Sequence, residues 1–207
     1  MRRASGADDE RRPRSSQAYD DLKRLLLSGT IAPGERLDPA RLADDLVSGV
    51  TPIREALLRL AGERLVEIRL NTGFHLPVMT ETILIDLYRL NFELLRLGHA
   101  VPGSGDPALP MHWPGASYAD SAAELFIAIA DSSQRPELLA QLVMINDRLA
   151  SARAAESLLF DDVVQELKSI NDTRHDDKKA FTRAIRAYHH KRIINARGLV
   201  SLIYNQS

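Results

Sequence analysis

Residues 34–76 read GERLDPARLADDLVSGVTPIREALLRLAGERLVEIRLNTGFHL, and their spacing decides the architecture of the N-terminal part. Asp38 stands before Pro39, so its carboxylate can accept from the free amides of a helix whose first position suits proline. That short helix turns Leu42, Ala43 and Leu46 inward. Val47-Ser48-Gly49-Val50 make a turn, and Thr51, followed by Pro52, caps a third helix with Arg54-Glu55 in its first turn. Ile53, Ala56, Leu57 and Leu60 recur at helical spacing, which leaves Thr51, Arg54, Glu55 and Leu58 toward the other side. After Gly62, Leu65–Arg69 and Phe74–Pro77 flank Asn71-Thr72-Gly73: extended, turn, extended.

Upstream, Ser16–Leu27 predicts a helix with Ala18, Leu22, Leu25 and Leu26 on one face and Ser28-Gly29 as its stop. Ile31–Leu37 reads as a turn leading into a short extended segment. Residues 1–15 read as a disordered arm in which Asp8, Asp9 and Glu10 interrupt five arginines, a solvated tail or a DNA-touching one. The whole can be read as a winged helix-turn-helix over residues 16–77: a support helix, a tight turn, and a second helix with a solvent-facing start that fits a major groove. Arg54 would bridge to guanine edges or to phosphate, and Thr51 to phosphate or a thymine methyl. Arg41, Thr72, Gly73 and His75 complete the candidate DNA-binding residues. Periodicity by itself leaves a plain helical hairpin as good a reading.

The same residues resemble the GntR family of bacterial transcriptional regulators. The family pattern aligns without a gap through Pro33–Leu37, Leu42-Ala43, Leu46, Thr51–Leu57, Leu60, Leu65-Val66 and Gly73-Phe74. The resemblance implies operator contacts from Thr51, Arg54 and the wing around Gly73. Two departures stand out. Gly49-Val50 replaces the family's Ser-Arg, so one DNA-contacting arginine is missing, and Val47 occupies the place of the turn glycine. Losing a bidentate arginine removes about 1–3 kcal/mol of base discrimination.

Beyond Pro77 the chain reads as helices: 81–98, then 118–131, 136–152, 156–171 and 175–203, with a Pro/Gly-rich loop over Val101–Ser117. Leu87–Glu93 and Ala130–Leu139 resemble segments of the FadR/FCD branch of that family, which implies a helical effector-binding and dimerisation domain over residues 80–207. The fold class expected is therefore mainly α: an N-terminal winged helix-turn-helix followed by an all-helical FCD-like bundle. Asp86, Arg89 and Glu93, with His189, are the expected lining of an effector pocket, where Arg89 would favour a phosphate or a carboxylate such as that of an organic acid; the alternative is an ordinary Arg89–Glu93 pair. Many such domains hold a metal through one Asp and three His. Here Ala122, Phe126 and Glu166 or Leu167 fall at three of those positions and only His189 fits the fourth, so no metal site is expected. His190 reads as an exposed or core-edge histidine and His175, beside Asp176-Asp177, as a capping one, while Trp113 next to His112 in the loop either covers a pocket or dimer seam or only anchors the loop.

Composition narrows the remaining classes. There is no cysteine, which excludes thiolate chemistry and disulfides, and aromatics make up only 5% of the chain, which suits helix packing. Net charge is -1, so phosphate binding would depend on local patches rather than on global attraction. No apolar run approaches a membrane span, and the charged start does not read as a secretion signal, in keeping with a cytoplasmic protein. No phosphate loop, HExxH or nucleophile elbow occurs, so neither an enzyme nor a cofactor is expected. The leading reading is a dimeric regulator, most simply a repressor, on a short palindromic double-stranded operator, modulated by a small-molecule effector. The alternative is a ligand-binding or protein-interaction module descended from one, with weak or lost operator recognition.

Overall fold

The computed structural model of the chain describes residues 14–99, 117–174 and 178–205. The arm before Arg14, the Pro/Gly loop with His112 and Trp113, and the His175–Asp177 stretch lie outside them. The chain divides into two compact units, Met1–Val78 and Met79–Ser207.

In the first unit, α1 (Arg14–Leu27) begins two residues before Ser16 and buries Ala18, Leu22 and Leu26. It packs with α2 (Pro39–Asp45) and α3 (Val50–Gly62) around Leu22, Ile53, Leu57 and Leu60, all without exposed surface. Asp38 caps α2 as expected, accepting from the amides of Ala40 at 2.9 Å and Arg41 at 3.1 Å. Those two amides also hold its carboxyl below the usual carboxylate range.

The α2–α3 turn is a Schellman closure. The Ser48 amide reaches the Ala43 carbonyl at 2.9 Å and the Val47 amide reaches that of Asp44 at 3.3 Å. That geometry puts Val47 at φ 49, a left-handed conformation in which glycine is at ease and a β-branched residue is not. The cap of α3 differs from expectation: it is Gly49, with no side-chain hydrogen bond, and Thr51 is already helical. A Cβ on Gly49 would meet the Pro52 ring at 3.2 Å, so the proline in the first turn favours glycine at the cap. Pro52 itself loses nothing there, because first-turn amides lack helical partners.

Strands β1 (Arg36–Leu37), β2 (Glu67–Arg69) and β3 (Gly73–His75) form an antiparallel sheet in the order β1-β3-β2. Leu37 and Ile68 both stand opposite Phe74. Asn71 (φ 66) and Gly73 (φ 83) turn the β2–β3 hairpin, the wing.

The second unit is all helix: α4 (Glu81–Gly98), α5 (Tyr118–Asp131), α6 (Pro136–Arg148), α7 (Ala150–Leu159), α8 (Val163–Thr173), α9 (Lys178–Ile194) and α10 (Ala196–Asn205). Thr80 caps α4, and Ser117 and Asp120 form a reciprocal capping box on α5. The expected helices 136–152 and 156–171 are instead three, broken at the buried Leu149 and again between Phe160 and Asp162. The apolar stripe Leu142, Ile145, Leu149, Ala152 keeps its phase through the first break, so periodicity hides it. The expected helix 175–203 is likewise divided at Asn195, whose side chain donates to the Lys191 carbonyl at 2.7 Å and competes with the helical ladder. Among the described residues no helix is long and apolar enough to cross a membrane.

The strained turn makes a direct prediction. Val47 is 95% exposed, so replacing it by glycine removes no packing while relieving the left-handed backbone. Val47→Gly is expected to stabilise the first unit by about 1 kcal/mol. Urea unfolding followed by circular dichroism measures it; an unchanged or lowered midpoint would contradict the strain.

Candidate functional site

The third helix of the first unit is held from behind. Tyr19 on α1 donates to the Glu63 carboxylate at 2.7 Å, and Lys23 reaches the same carboxylate at 3.2 Å. The Arg59 guanidinium lies over the Tyr19 ring, 3.8 Å from its centroid. This cluster ties the far end of α3 to α1 and leaves the front turns facing solvent. Thr51, Arg54, Glu55 and Leu58 are all exposed there, and Arg54 has no hydrogen bond or ion pair among the described residues. Arg41 on α2 is also exposed, with a loose contact to Asp45 at 3.8 Å. Thr72 and Gly73 are exposed at the wing tip.

His75 behaves differently from the other expected contacts. It is only 7% exposed, with Nδ1 at 3.3 Å from the Gly73 carbonyl oxygen, because it sits on the central strand between Arg36 of β1 and Glu67 of β2. It underlies the wing and offers no side chain to a ligand outside. The wing surface instead presents Leu70 and the Arg69–Glu67 pair at 2.9 Å. Val50, where the family pattern has arginine, is exposed and apolar.

In the second unit the expected pocket residues are not brought together. Asp86, Arg89 and Glu93 lie on the exposed side of α4, with Asp86 and Arg89 3.8 Å apart and Glu93 bound to Arg96 at 2.8 Å. Both pairs form at i, i+3, so neither a pocket lining nor the Arg89–Glu93 pair results. His189 alone of the four is buried. His190 is exposed.

The interior holds polar groups that periodicity does not reveal. Glu156 has no exposed surface; its carboxylate accepts from Tyr88 at 2.5 Å, from Tyr118, from Tyr188 at 3.2 Å and from Arg192 Nε at 2.9 Å. Arg192 also reaches Glu166 at 2.7 Å and lies over the Tyr188 ring, 3.4 Å from its centroid. Burial, then the Glu156 charge, pushes the Tyr188 hydroxyl up to about 12, so it stays a donor.

Beside this network stand His189, Asn91, Asn146 and Arg153, all buried. His189 Nδ1 is 2.6 Å from the Ile185 carbonyl, which can only accept, so Nδ1 carries the proton. Nε2 is 2.9 Å from Asn91 Oδ1, and Asn91 Nδ2 donates to Asn146 Oδ1 at 3.5 Å. Asn146 donates to the Ala123 carbonyl at 3.1 Å and accepts from Arg153 at 2.6 Å.

A metal of the kind the resemblance implies does not fit this interior. Ala122, Phe126 and Leu167 are buried without a donor atom, Glu166 is engaged by Arg192, and both His189 nitrogens are used. Among the described residues no three His, Cys, Asp or Glu come together as ligands.

Comparison with known proteins agrees with this division. Residues 14–76 match the family described as "Bacterial regulatory proteins, gntR family". The HTH-type transcriptional repressor GlaR of Escherichia coli is 34% identical over 94 residues, 44% of this chain and 43% of that protein. The alignment thus spans less than half the length of that relative. The Nta operon transcriptional regulator of Aminobacter aminovorans is 27% identical over 202 residues, covering 88% of this chain and 96% of that one. Among solved structures, Escherichia coli McbR/YncC has a TM-score of 0.68 at 19% identity, covering 90% of this chain and 98% of its own. The fold is therefore a winged helix-turn-helix followed by an all-helical unit of the McbR type.

The buried imidazole predicts a pH dependence. Burial holds His189 down to about 3, and Arg192 and Arg153 push the same way. An unfolded histidine takes up its proton near pH 6.5, so between there and about 3 the unfolded chain binds one more proton and acidification destabilises the fold. The full effect is about 1.4 kcal/mol per pH unit. Unfolding free energy measured from pH 6.5 to 5, above most carboxylate titrations, should fall more steeply in the wild type than in His189→Gln. Equal slopes would contradict the assignment.

Proposed function

Since the N-terminal unit belongs to the GntR family of bacterial regulatory proteins, we propose that this chain is a transcriptional regulator. It binds a short palindromic operator as a dimer and answers to a small-molecule effector. Residues 16–77 are the reading head; residues 80–207 are the effector-binding and dimerisation domain. The observation that carries the reading is the exposed front of α3, with Arg54 unengaged among the described residues while the back of the same helix is clamped to α1. A side chain left free on a rigid helix has no internal contact to break before it meets a base edge or phosphate. Thr51 and Arg41 are the proposed neighbours on the duplex, and Thr72 and Gly73 the contacts from the wing.

Exposed apolar side chains on the second unit, among them Leu90, Leu158, Val164 and Ile194, are what a second copy would cover. Two-fold symmetry of such a dimer would match a palindrome. A ligand in the helical unit would act by differential affinity for two arrangements of the heads, and repression follows from occupying a promoter. Such a protein works where the DNA is, in the cytoplasm.

One observation favours the second reading, a descendant with weak or lost operator recognition. Val50 offers no hydrogen bond where the family has arginine, and the preceding turn is strained at Val47.

Arg54→Ala separates these readings. The residue faces away from Ile53, Leu57 and Leu60, so the variant should fold as the wild type does. With a bidentate base contact, affinity for the cognate duplex falls by about 1–3 kcal/mol and the gap to scrambled duplex narrows. With a phosphate contact, all duplexes weaken together and the salt slope falls by about 1. Titration of both proteins on cognate and scrambled duplexes at two salt concentrations reads the difference. Unchanged affinity in a folded variant would remove Arg54 from the interface.

A further inference from the structure

Three arginines are buried in the second unit, Arg153, Arg174 and Arg192; carboxylates neutralise Arg192, but none reaches Arg153. Arg192, with no exposed surface, has Glu156 at 2.9 Å and Glu166 at 2.7 Å. Arg153 on α7, 1% exposed, has neither. Its Nη2 donates to Asn146 Oδ1 at 2.6 Å, and the guanidinium lies 5.1 Å from the Phe126 ring centroid. Nε and Nη1 are buried with no hydrogen-bond partner, and no carboxylate pairs with the group among the described residues. A guanidinium keeps its proton in proteins, so this charge cannot be shed as a buried lysine's can. An aromatic face and one amide oxygen compensate a buried cation only in part.

From this geometry we propose that Arg153 anchors an oxyanion, a carboxylate or phosphate group of a small ligand, inside the helical unit without any metal. The proposal rests on the effector reading above and names the chemistry of that effector. Three N–H bonds on Nε and Nη1 are available, and oxyanions are the acceptors that match a guanidinium with charge as well as geometry. The side chains around Arg153 are of mixed polarity. Asn146 and Asn91 (α6 and α4) supply amides, His189 on α9 a neutral ring, and Phe126 on α5 an apolar wall. The positive charge that a metal would lend to a bound carboxylate comes here from a side chain. The expected pocket arginine, Arg89, plays no part, being exposed on the far side of α4.

The test is thermal unfolding of the full chain with acetate, succinate or inorganic phosphate, each against sodium chloride at equal ionic strength. The wild type, Arg153→Met and Arg153→Lys are compared. At least one oxyanion is expected to raise the wild-type unfolding temperature saturably, and the identity of that anion separates carboxylate from phosphate. Arg153→Met, relieved of an unpaired charge, should unfold without ligand at or above the wild-type temperature and gain nothing from the anion. Arg153→Lys, which keeps the charge but loses the fork, should respond more weakly than wild type; it carries the test if the methionine variant does not fold. The proposal is overturned if no oxyanion exceeds the chloride control, or if the variants respond as the wild type does. Duplex titration alongside keeps the two readings apart. Intact DNA binding without an anion response removes the site alone, whereas an Arg153-dependent response without DNA binding removes the regulator and keeps the site.

Discussion

A carboxylate that must find all its hydrogen bonds inside the protein organises the second unit. Glu156 draws hydroxyls from Tyr88 on α4, Tyr118 on α5 and Tyr188 on α9, and the guanidinium of Arg192. Arg192 in turn recruits Glu166 from α8. One buried charge therefore joins five helices, in a medium where losing a single partner strands the rest at a cost of about 3–5 kcal/mol. The tyrosines stay protonated there, Tyr188 pushed up to about 12 mainly by burial, so the network keeps one set of donors over the physiological range. Against that closed arrangement the open valence of Arg153 stands out: the same interior that satisfies one arginine leaves its neighbour with two nitrogens unmatched.

The first unit clamps one end of a single helix and leaves the other end open. Toward its end α3 is fastened by the Tyr19, Lys23, Glu63 and Arg59 cluster, and its inner face packs Ile53, Ala56, Leu57 and Leu60. Its first turns carry no such ties. A rigid rear and a free front suit a helix that enters a groove, since the exposed side chains do not spend their reach on holding the fold. The turn before it holds backbone strain at Val47, and a glycine cap at Gly49 accommodates Pro52.

Much of this was legible in the residues, for reasons that differ by element. The Asp38-Pro39 cap, the inner face of α3, the wing and the bounds of α4 and α5 follow from local chemistry and period, and the structure has them. The breaks at Leu149 and Asn195 were not legible, because the apolar stripe runs on in phase through one and a side-chain hydrogen bond makes the other. Thr51 gave way to Gly49 as the cap for steric reasons visible only once Pro52 was in place. Asp86, Arg89 and Glu93 share a helix face, but which face turns inward is decided by tertiary packing, and here it is the one with Leu84, Leu87, Tyr88 and Asn91. Glu156, Arg192 and Arg153 look like surface charges in a helical pattern. For Glu156 and Arg153 the signal was the small neighbours Ala152 and Ala155, buried on the same helix.

The central claim is that the exposed front of α3 and the wing read a particular duplex. Selection of bound sequences from a random double-stranded DNA pool by the full chain tests it most directly. The account predicts enrichment of one short palindromic motif, still bound at a salt concentration that releases random duplex. A bound pool that stays random in sequence, or no binding above the random level at any salt concentration, would contradict it.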